Sequence, residues 1–320
     1  MPNPLLLKLG HYVRLSASDR AAALALWGER PLRVRAGADA LREGDAPRHV
    51  LVVVGGWACR YKHLEDGRRH VMGLLLPGDL CDLDAPVLAR ADHSVGAVTA
   101  LTLAQVSPAA LDRAVAGRPR LLRALRWDAQ VGAAIQREWS VSLASRSAFE
   151  RIGHLLCETF LRLEAVGRGR RTGRGGSCEF PVTQALMADI TGLSAVHVSR
   201  TVQSLREAGL VRLGDRALAI PDLEALMTAS LCDPGYLHRD REGRHLDAPD
   251  APDAPPDGPG EPARAPRGAQ TRDGGPGPAP EPTPRPGPSL PGKRSSPGGQ
   301  ASRPRGGRRK GNGPLGKAAP

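Results

Sequence analysis

Residues 187–200 read MADITGLSAVHVSR. The small Ala188 is followed four positions on by Gly192, and six further by the β-branched Val198. That spacing suits two helices meeting at a sharp bend, and it also suits an ordinary amphipathic pair, so the flanks must decide. Thr183 stands where it can cap a helix over 184–190. Gly192 tolerates the positive φ that a sharp turn requires. Ser194 can cap a second helix running to about 208, and Gly209 can end it. Ala188 lets the second helix cross closely over the first, and Val198 fills the joint, which is the logic of a helix-turn-helix. The three-residue pattern alone is a weak signal. Here LREAGLV (205–211) follows, and then VRLGDRALAIP (211–221), which alternates around Gly214–Asp215 as a β-hairpin wing. Together they make a strong one.

Upstream, two more helices are expected. Residues 119–145 contain one internal glycine, Gly132, and Leu122, Leu125, Ala129, Gly132, Gln136, Trp139 and Leu143 recur at steps of three and four. That is the seam of a paired helix, facing either its own barrel or a second subunit. Small residues at Ala129, Gly132 and Ala133 would let two backbones come close, which favours a homodimer. SAFERIGHLLCETFLRLEAVG (147–167) puts Phe149, Ile152, Leu155, Leu156, Phe160 and Leu163 on one helical face. His154 lies near that face and reads as a core histidine more than as a ligand. GRGRRTGRGG (167–176) reads as a flexible, solvated basic loop.

Before residue 108 the period is two. LRVRAG (32–37), HVLVVVGGWACRYKHL (49–64), RHVMGLLLPGDL (69–80) and SVGAVTALTLAQVS (94–107) are short β-rich runs separated by Gly and Pro. Asp66–Gly67 favours a tight hairpin with positive φ at both central residues. Such strands predict a β-barrel or sandwich over about 30–107. Leu15, Ala22, Leu24 and Leu26 suggest one short helix over 11–28.

The chain has 320 residues and a net charge of +12, of which residues 233–320 carry +5. That last segment is rich in Pro, Gly, Ala and Arg and is expected to be a disordered tail, since it holds too little apolar area to offset its ordering entropy. The remaining body is basic too, which suits a polyanionic partner. Cys59, Cys81, Cys157, Cys178 and Cys232 form no CxxC pair, so neither a zinc site nor a disulfide framework is expected. The three-leucine run of MPNPLLLKLGHYVRL is too short for a signal-peptide core, and no run approaches the roughly 18 apolar residues of a membrane span. A cytoplasmic protein with no membrane partner is expected.

GLSAVHVSRTVQSLREAGLV (192–211) is similar to the DNA-binding signature of the Crp/Fnr superfamily of bacterial transcription regulators. LPGDL (76–80) and REWSVSLASRSAFERIGHLLCETFLRL (137–163) resemble the sensor barrel and hinge of its Fnr-like branches. The resemblance spans about 30–226. It implies an α+β protein with a cyclic-nucleotide-binding-like β-roll sensor (1–117), a long dimerisation helix (118–145) and a winged helix-turn-helix (146–228), followed here by the tail. It further implies a homodimer on a palindromic double-stranded DNA site near promoters, with RNA polymerase as a partner. The DNA-contacting residues would be Thr183, Ser194, Ala195, Val196, His197, Ser199, Arg200 and Arg206. Arg200 matches the family's guanine-reading arginine and Ser199 a polar neighbour. Val196 stands where many relatives carry a base-reading glutamate; it can touch a thymine methyl and cannot accept from cytosine. Arg206 and Arg212 are phosphate contacts or surface charges.

In cyclic-nucleotide-binding relatives a Gly-Glu pair takes the ribose and an Arg-Ser/Thr-Ala the phosphate. Here the matching positions are Gly78–Asp79 and His93–Ser94–Val95, the candidate effector pocket. Asp79 can still accept from a ribose hydroxyl, but a mostly neutral His93 is a poor replacement for a guanidinium, so a cyclic nucleotide is not expected. No cysteine precedes Cys59, which argues against the iron–sulfur cluster of oxygen-sensing members. No residue points to a haem, although none excludes it. No nucleophile–base pair, metal spacing or phosphate loop supports an enzyme. The competing function is a sensory or interaction module whose winged helix contacts protein in place of DNA.

Overall fold

The computed structural model describes residues 3–27 and 31–239. Helices α1 (Pro4–Tyr12) and α2 (Ala17–Trp27) open the chain, where one helix over 11–28 was expected. The break has a local cause. Asn3 caps α1, and the Ser16 N–H donates to Asp19 at 3.0 Å while the Asp19 N–H donates to Ser16 Oγ at 3.1 Å. That reciprocal pair starts a second helix at residue 17.

Eight strands follow: β1 (Pro31–Val34), β2 (Asp39–Leu41), β3 (Val50–Gly55), β4 (Ala58–His63), β5 (Arg69–Leu75), β6 (Leu80–Cys81), β7 (Ser94–Ala97) and β8 (Leu101–Val106). They form two antiparallel sheets, ordered β1-β8-β3-β6 and β2-β7-β4-β5. Leu51, Val53, Leu103, Ala58, Leu75 and Val95, drawn from both sheets, close a small core between them. The chain crosses from one sheet to the other at Gly56, whose φ is +83°; a Cβ there would overlap the Ala100 carbonyl. At the β4–β5 hairpin Gly67 alone takes positive φ, and the Asp66 side chain instead accepts from the Arg68 N–H at 3.0 Å. The turn is therefore a type I turn ended by a glycine, not the doubly left-handed turn expected from Asp-Gly.

Helix α3 (Pro108–Val115) leads into α4 (Pro119–Ser145) and then α5 (Ala148–Ala165), which starts on a capping box between Ser147 and Glu150. The face that α4 buries carries Leu121, Leu125, Asp128, Val131, Ile135, Trp139 and Ser142. The expected seam thus divides. Leu125 and Trp139 pack within the chain and Gln136 Nε2 donates to the Met72 carbonyl at 2.7 Å, while Leu122, Ala129, Gly132 and Leu143 stay at least partly exposed.

The third sheet corrects another expectation. Residues 167–176 are not a free loop: β9 (Gly169–Thr172) and β10 (Gly175–Glu179) make a hairpin that extends the sheet of the wing. After α6 (Gln184–Thr191) and α7 (Ala195–Glu207) come β11 (Arg212–Gly214), β12 (Ala217–Ile220) and α8 (Leu223–Ala229); the sheet order is β11-β12-β10-β9. Its glycines serve close packing: a Cβ on Gly175 would overlap the Ile220 carbonyl, and one on Gly176 the Phe160 ring. Trp57 of the β-roll meets Phe180 edge to face, with centroids 6.0 Å apart, where the winged helix docks.

Nor does the folded part stop at 232. Asp233 caps a single 3-10 turn, Pro234–Leu237; Leu237 is buried and the Tyr236 hydroxyl donates to Glu158 at 2.9 Å. The rest of the expected tail, 240–320, lies outside the described residues.

Gly176→Ala should lower the midpoint of urea unfolding, corresponding to about 1–3 kcal/mol of overpacking against Phe160. Gly214→Ala, which meets open space, should move it by less than about 0.5 kcal/mol.

Candidate DNA-reading helix and sensor cavity

The helix-turn-helix forms as its local signals dictate. Thr183 accepts from the Leu186 N–H at 3.1 Å, Gly192 takes φ +67°, and Ser194 accepts from the His197 N–H at 3.2 Å. Gly209 sits at φ +70°, with its N–H on the Arg206 carbonyl and that of Leu210 on Leu205, so α7 ends in a Schellman motif. Val198 is fully buried in the joint, and Thr201, Val202 and Leu205 continue the inward face. Ala195, Val196, His197, Ser199 and Arg200 are left exposed on the first turns of α7, with Val196 at 62%. The Arg200 guanidinium has no hydrogen bond or ion pair among the described residues. Arg206 differs. It lies about 9 Å further along the axis, and its guanidinium donates to the Leu213 carbonyl, tying α7 to the wing. At the wing tip Asp215 and Arg216 both take positive φ, at 48° and 58°, the pattern of a two-residue primed turn.

The β-roll, α1, α4 and α5 line an open cavity of about 630 Å³. Its apolar wall includes Leu76, Leu125, Val131 and Ile135. Asp79 and His93 line it, while Gly78 and Ser94 do not. Gly78 takes φ +95° against Pro4 of α1, and Ser94 Oγ accepts from the Glu43 N–H at 3.0 Å. Asp79 is fully engaged: it accepts from Lys8 Nζ at 2.6 Å, Arg162 Nη2 at 2.7 Å and the Leu76 N–H at 2.7 Å. Burial by itself would raise the Asp79 carboxyl; Lys8 and Arg162 outweigh it and hold it down at about 2. Lys8 also pairs with Asp128 at 2.7 Å. Burial opposes its charge, but Asp128 and Asp79 together raise its pKa. Arg162 goes on to Glu158 at 3.1 Å, and buried Glu158 accepts from Trp139 Nε1 and from the Tyr236 hydroxyl, each at 2.9 Å.

Elsewhere in the lining, His93 reaches Asp82 at 3.1 Å and Asp92 at 2.7 Å, and Arg60 reaches Asp82 at 3.1 Å. Asp82 raises the His93 pKa against the opposing effect of burial. His93 is thus more cationic than its sequence alone implies; its Nδ1 is hydrogen-bonded to Asp92, while Nε2 lies at ion-pair distance from Asp82 without a hydrogen bond. The ribose-and-phosphate grip does not fit these residues: the acid is spent on two internal cations, and no guanidinium stands at position 93. His154 is a core histidine as expected, stacked on Tyr236 at 5.8 Å, with burial pushing its pKa down to about 4. The five cysteines are free and buried, and burial pushes the thiols of Cys81 and Cys178 up to about 12. No metal-binding cluster occurs among the described residues.

Residues 150–229 match the Crp-like helix-turn-helix domain and residues 31–118 the cyclic nucleotide-binding domain. The chain is 30% identical over 203 residues to the nitrogen fixation regulation protein FixK of Bradyrhizobium diazoefficiens, covering 62% of this chain and 83% of that protein. It is 32% identical over 200 residues to FixK of Rhizobium meliloti, covering 62% and 84%. The chain belongs to the Crp/Fnr family of transcription regulators. The structure of FixK2 from Bradyrhizobium japonicum shares the fold, with a TM-score of 0.54, 21% identity, and coverage of 62% of this chain and 96% of that one. The protein is a DNA-binding transcription regulator.

In this Crp/Fnr regulator the residues that the sequence did not single out are the internal partners. Lys8 stood out only as a cation among leucines and Arg162 only as the partner of Glu158 one turn earlier; their convergence on Asp79 across 71 and 83 positions had no signal. The charge state of Asp79 has a direct consequence. A carboxyl held at about 2 contributes stability above its unfolded value near 3.9 and loses it as the pH falls through about 2. Asp79→Asn should therefore cost on the order of 3 kcal/mol at pH 7. In denaturant titrations the gap from wild type should shrink as the pH falls below about 4 and nearly close by about 2. A gap that does not change with pH would contradict this assignment.

Proposed function

We propose that the regulator binds DNA sequence-specifically as a homodimer in the cytoplasm. Its two copies of α7 enter successive major grooves of a palindromic site near promoters, where RNA polymerase is the further partner. The observation that carries this reading is the exposed first turns of α7 with an unpaired Arg200 guanidinium. A free planar fork at that place suits guanine O6 and N7. Val196 offers an apolar contact for a thymine methyl, and Thr183 and Ser194, at the starts of the two helices, lie where phosphates meet helix N-termini. Dimerisation is supported by α4, whose exposed side retains Ala129, Gly132 and Val141; a Cβ on Gly132 would meet nothing within 4 Å. No helix among the described residues is long and apolar enough to cross a membrane. The engagement of Asp79 by Lys8 and Arg162 speaks against a cyclic nucleotide as the sensor's ligand.

Selection of duplexes from a random library, with purified protein and no added ligand, should enrich a palindrome with a guanine in each half-site. Arg200→Ala should weaken binding to that site by about 10–100-fold, the equivalent of one lost bidentate base contact, and relax the preference at that guanine. Non-specific binding should keep its salt dependence. Failure of the wild type to enrich any duplex would overturn this reading.

A further inference from the structure

Arg151 lies in the first turn of α5, half-buried, between the end of the long helix and the helix-turn-helix. Its guanidinium donates to four main-chain carbonyls. Nε reaches Ser142 at 3.2 Å, and Nη2 reaches Leu143 at 3.0 Å and Arg146 at 2.9 Å, all at the C-terminal end of α4 and the hinge after it. Nη1 reaches Thr191 at 2.7 Å, the last residue of α6, one position before the turn at Gly192. Arg151 has no ion pair with a carboxylate among the described residues. Its charge faces the carbonyl ends of two helices, where the backbone dipoles favour a cation. The same two elements touch again next to it: a Cβ on Gly192 would lie 3.9 Å from Leu143 Cδ2.

We propose that Arg151 is the positioning residue that sets the angle between α4 and the reading helix, and through it the spacing of the two half-sites that the dimer accepts. The inference rests on the dimeric DNA-reading function proposed above. If α4 pairs with its copy, the dimer axis runs beside it. The direction of α7 from that axis is then fixed at two places, the α4–α5 hinge and the α6–α7 turn. One planar fork holds both. A lysine ammonium is a compact point charge and cannot span both sets of carbonyls in the same geometry. Of the carbonyls it would release, those of Leu143 and Arg146 lie at half-buried positions, where water can take them, and that of buried Ser142 still accepts from the Arg146 N–H at 3.2 Å. Buried Thr191 loses its donor in Arg151→Gln, whereas a lysine ammonium can still reach one of the two sets, so Arg151→Lys is the variant that separates angular definition from folding.

Half-site spacing reads this angle directly, since one added base pair moves the second half-site by about 3.4 Å and rotates it by about 35°. The test uses Arg151→Lys and Arg151→Gln in the full chain. Thermal unfolding is measured first; duplexes are then selected from a library in which the wild-type half-sites are separated by variable spacers. The wild type should prefer one spacing over its neighbours by at least about tenfold, and Arg151→Lys should reduce that preference below about threefold while reading the same half-site. Variants that lose affinity equally at every spacing, or keep the wild-type preference, would overturn the proposal. Unfolding of both variants at 25 °C would overturn it too, by marking the residue as structural only. A wild type that selects no palindrome would instead sink the dimeric DNA-reading function, so the two failures are distinguishable.

Discussion

One carboxylate joins the parts of this regulator. Asp79 sits in the turn that ends the long β5 run, buried, and takes a cation from each side: Lys8 from the N-terminal helix and Arg162 from the first helix of the DNA-binding half. Neither cation stops there. Lys8 continues to Asp128 on α4, and Arg162 continues to Glu158, which Trp139 of α4 also contacts. Buried ion pairs contribute little net stability against a well-packed apolar alternative, but removing one member strands the others. The network is thus weak as glue and strong as a constraint on arrangement. It sets which face of α5 meets the β-roll.

That arrangement has a functional cost and a functional use. The acid that relatives of the family offer to a nucleotide ribose is here spent on the chain's own lysine and arginine. What remains of the cavity is a largely apolar wall, with Arg60, Asp82 and His93 also in its lining. The turn after β5 is thereby joined directly to α5 through Arg162.

How much of this was legible in the sequence follows from the range of each interaction. The ends of α4 and the caps of α6 and α7 were legible, because Pro119, Thr183, Ser194 and Gly209 act within four residues of themselves. The burial of Val198 followed from spacing for the same reason. The β9–β10 hairpin was not legible: GRGRRTGRGG has the composition of a solvated linker, and only Phe160 and Ile220, brought in from elsewhere, show why glycines 175 and 176 are there. Residues 233–239 were assigned to the tail on composition, whereas Tyr236 is held by Glu158 and His154 in α5. The seam of α4 was half legible. Period alone finds an apolar stripe but cannot say which residues face the chain's own barrel and which are left for another subunit.

The site residues divide in the same way. Exposure of Ala195, Val196, Ser199 and Arg200 follows from helical period once Val198 is inside. The engagement of Arg206 by the wing does not, because it needs the strand to return beside α7. Arginines 151, 162 and 206 look like Arg200 in the sequence, yet the guanidinium of each of the first three has a partner within the chain. Arg162 holds the sensor to α5, Arg151 holds α5 to both α4 and α6, and Arg206 holds α7 to the wing. Arg162 thus ties α5 to the turn after β5, and Arg151 and Arg206 tie in the elements that carry α7. Arg200 is the one of the four whose guanidinium has no internal partner among the described residues, and it stays exposed on the first turns of α7.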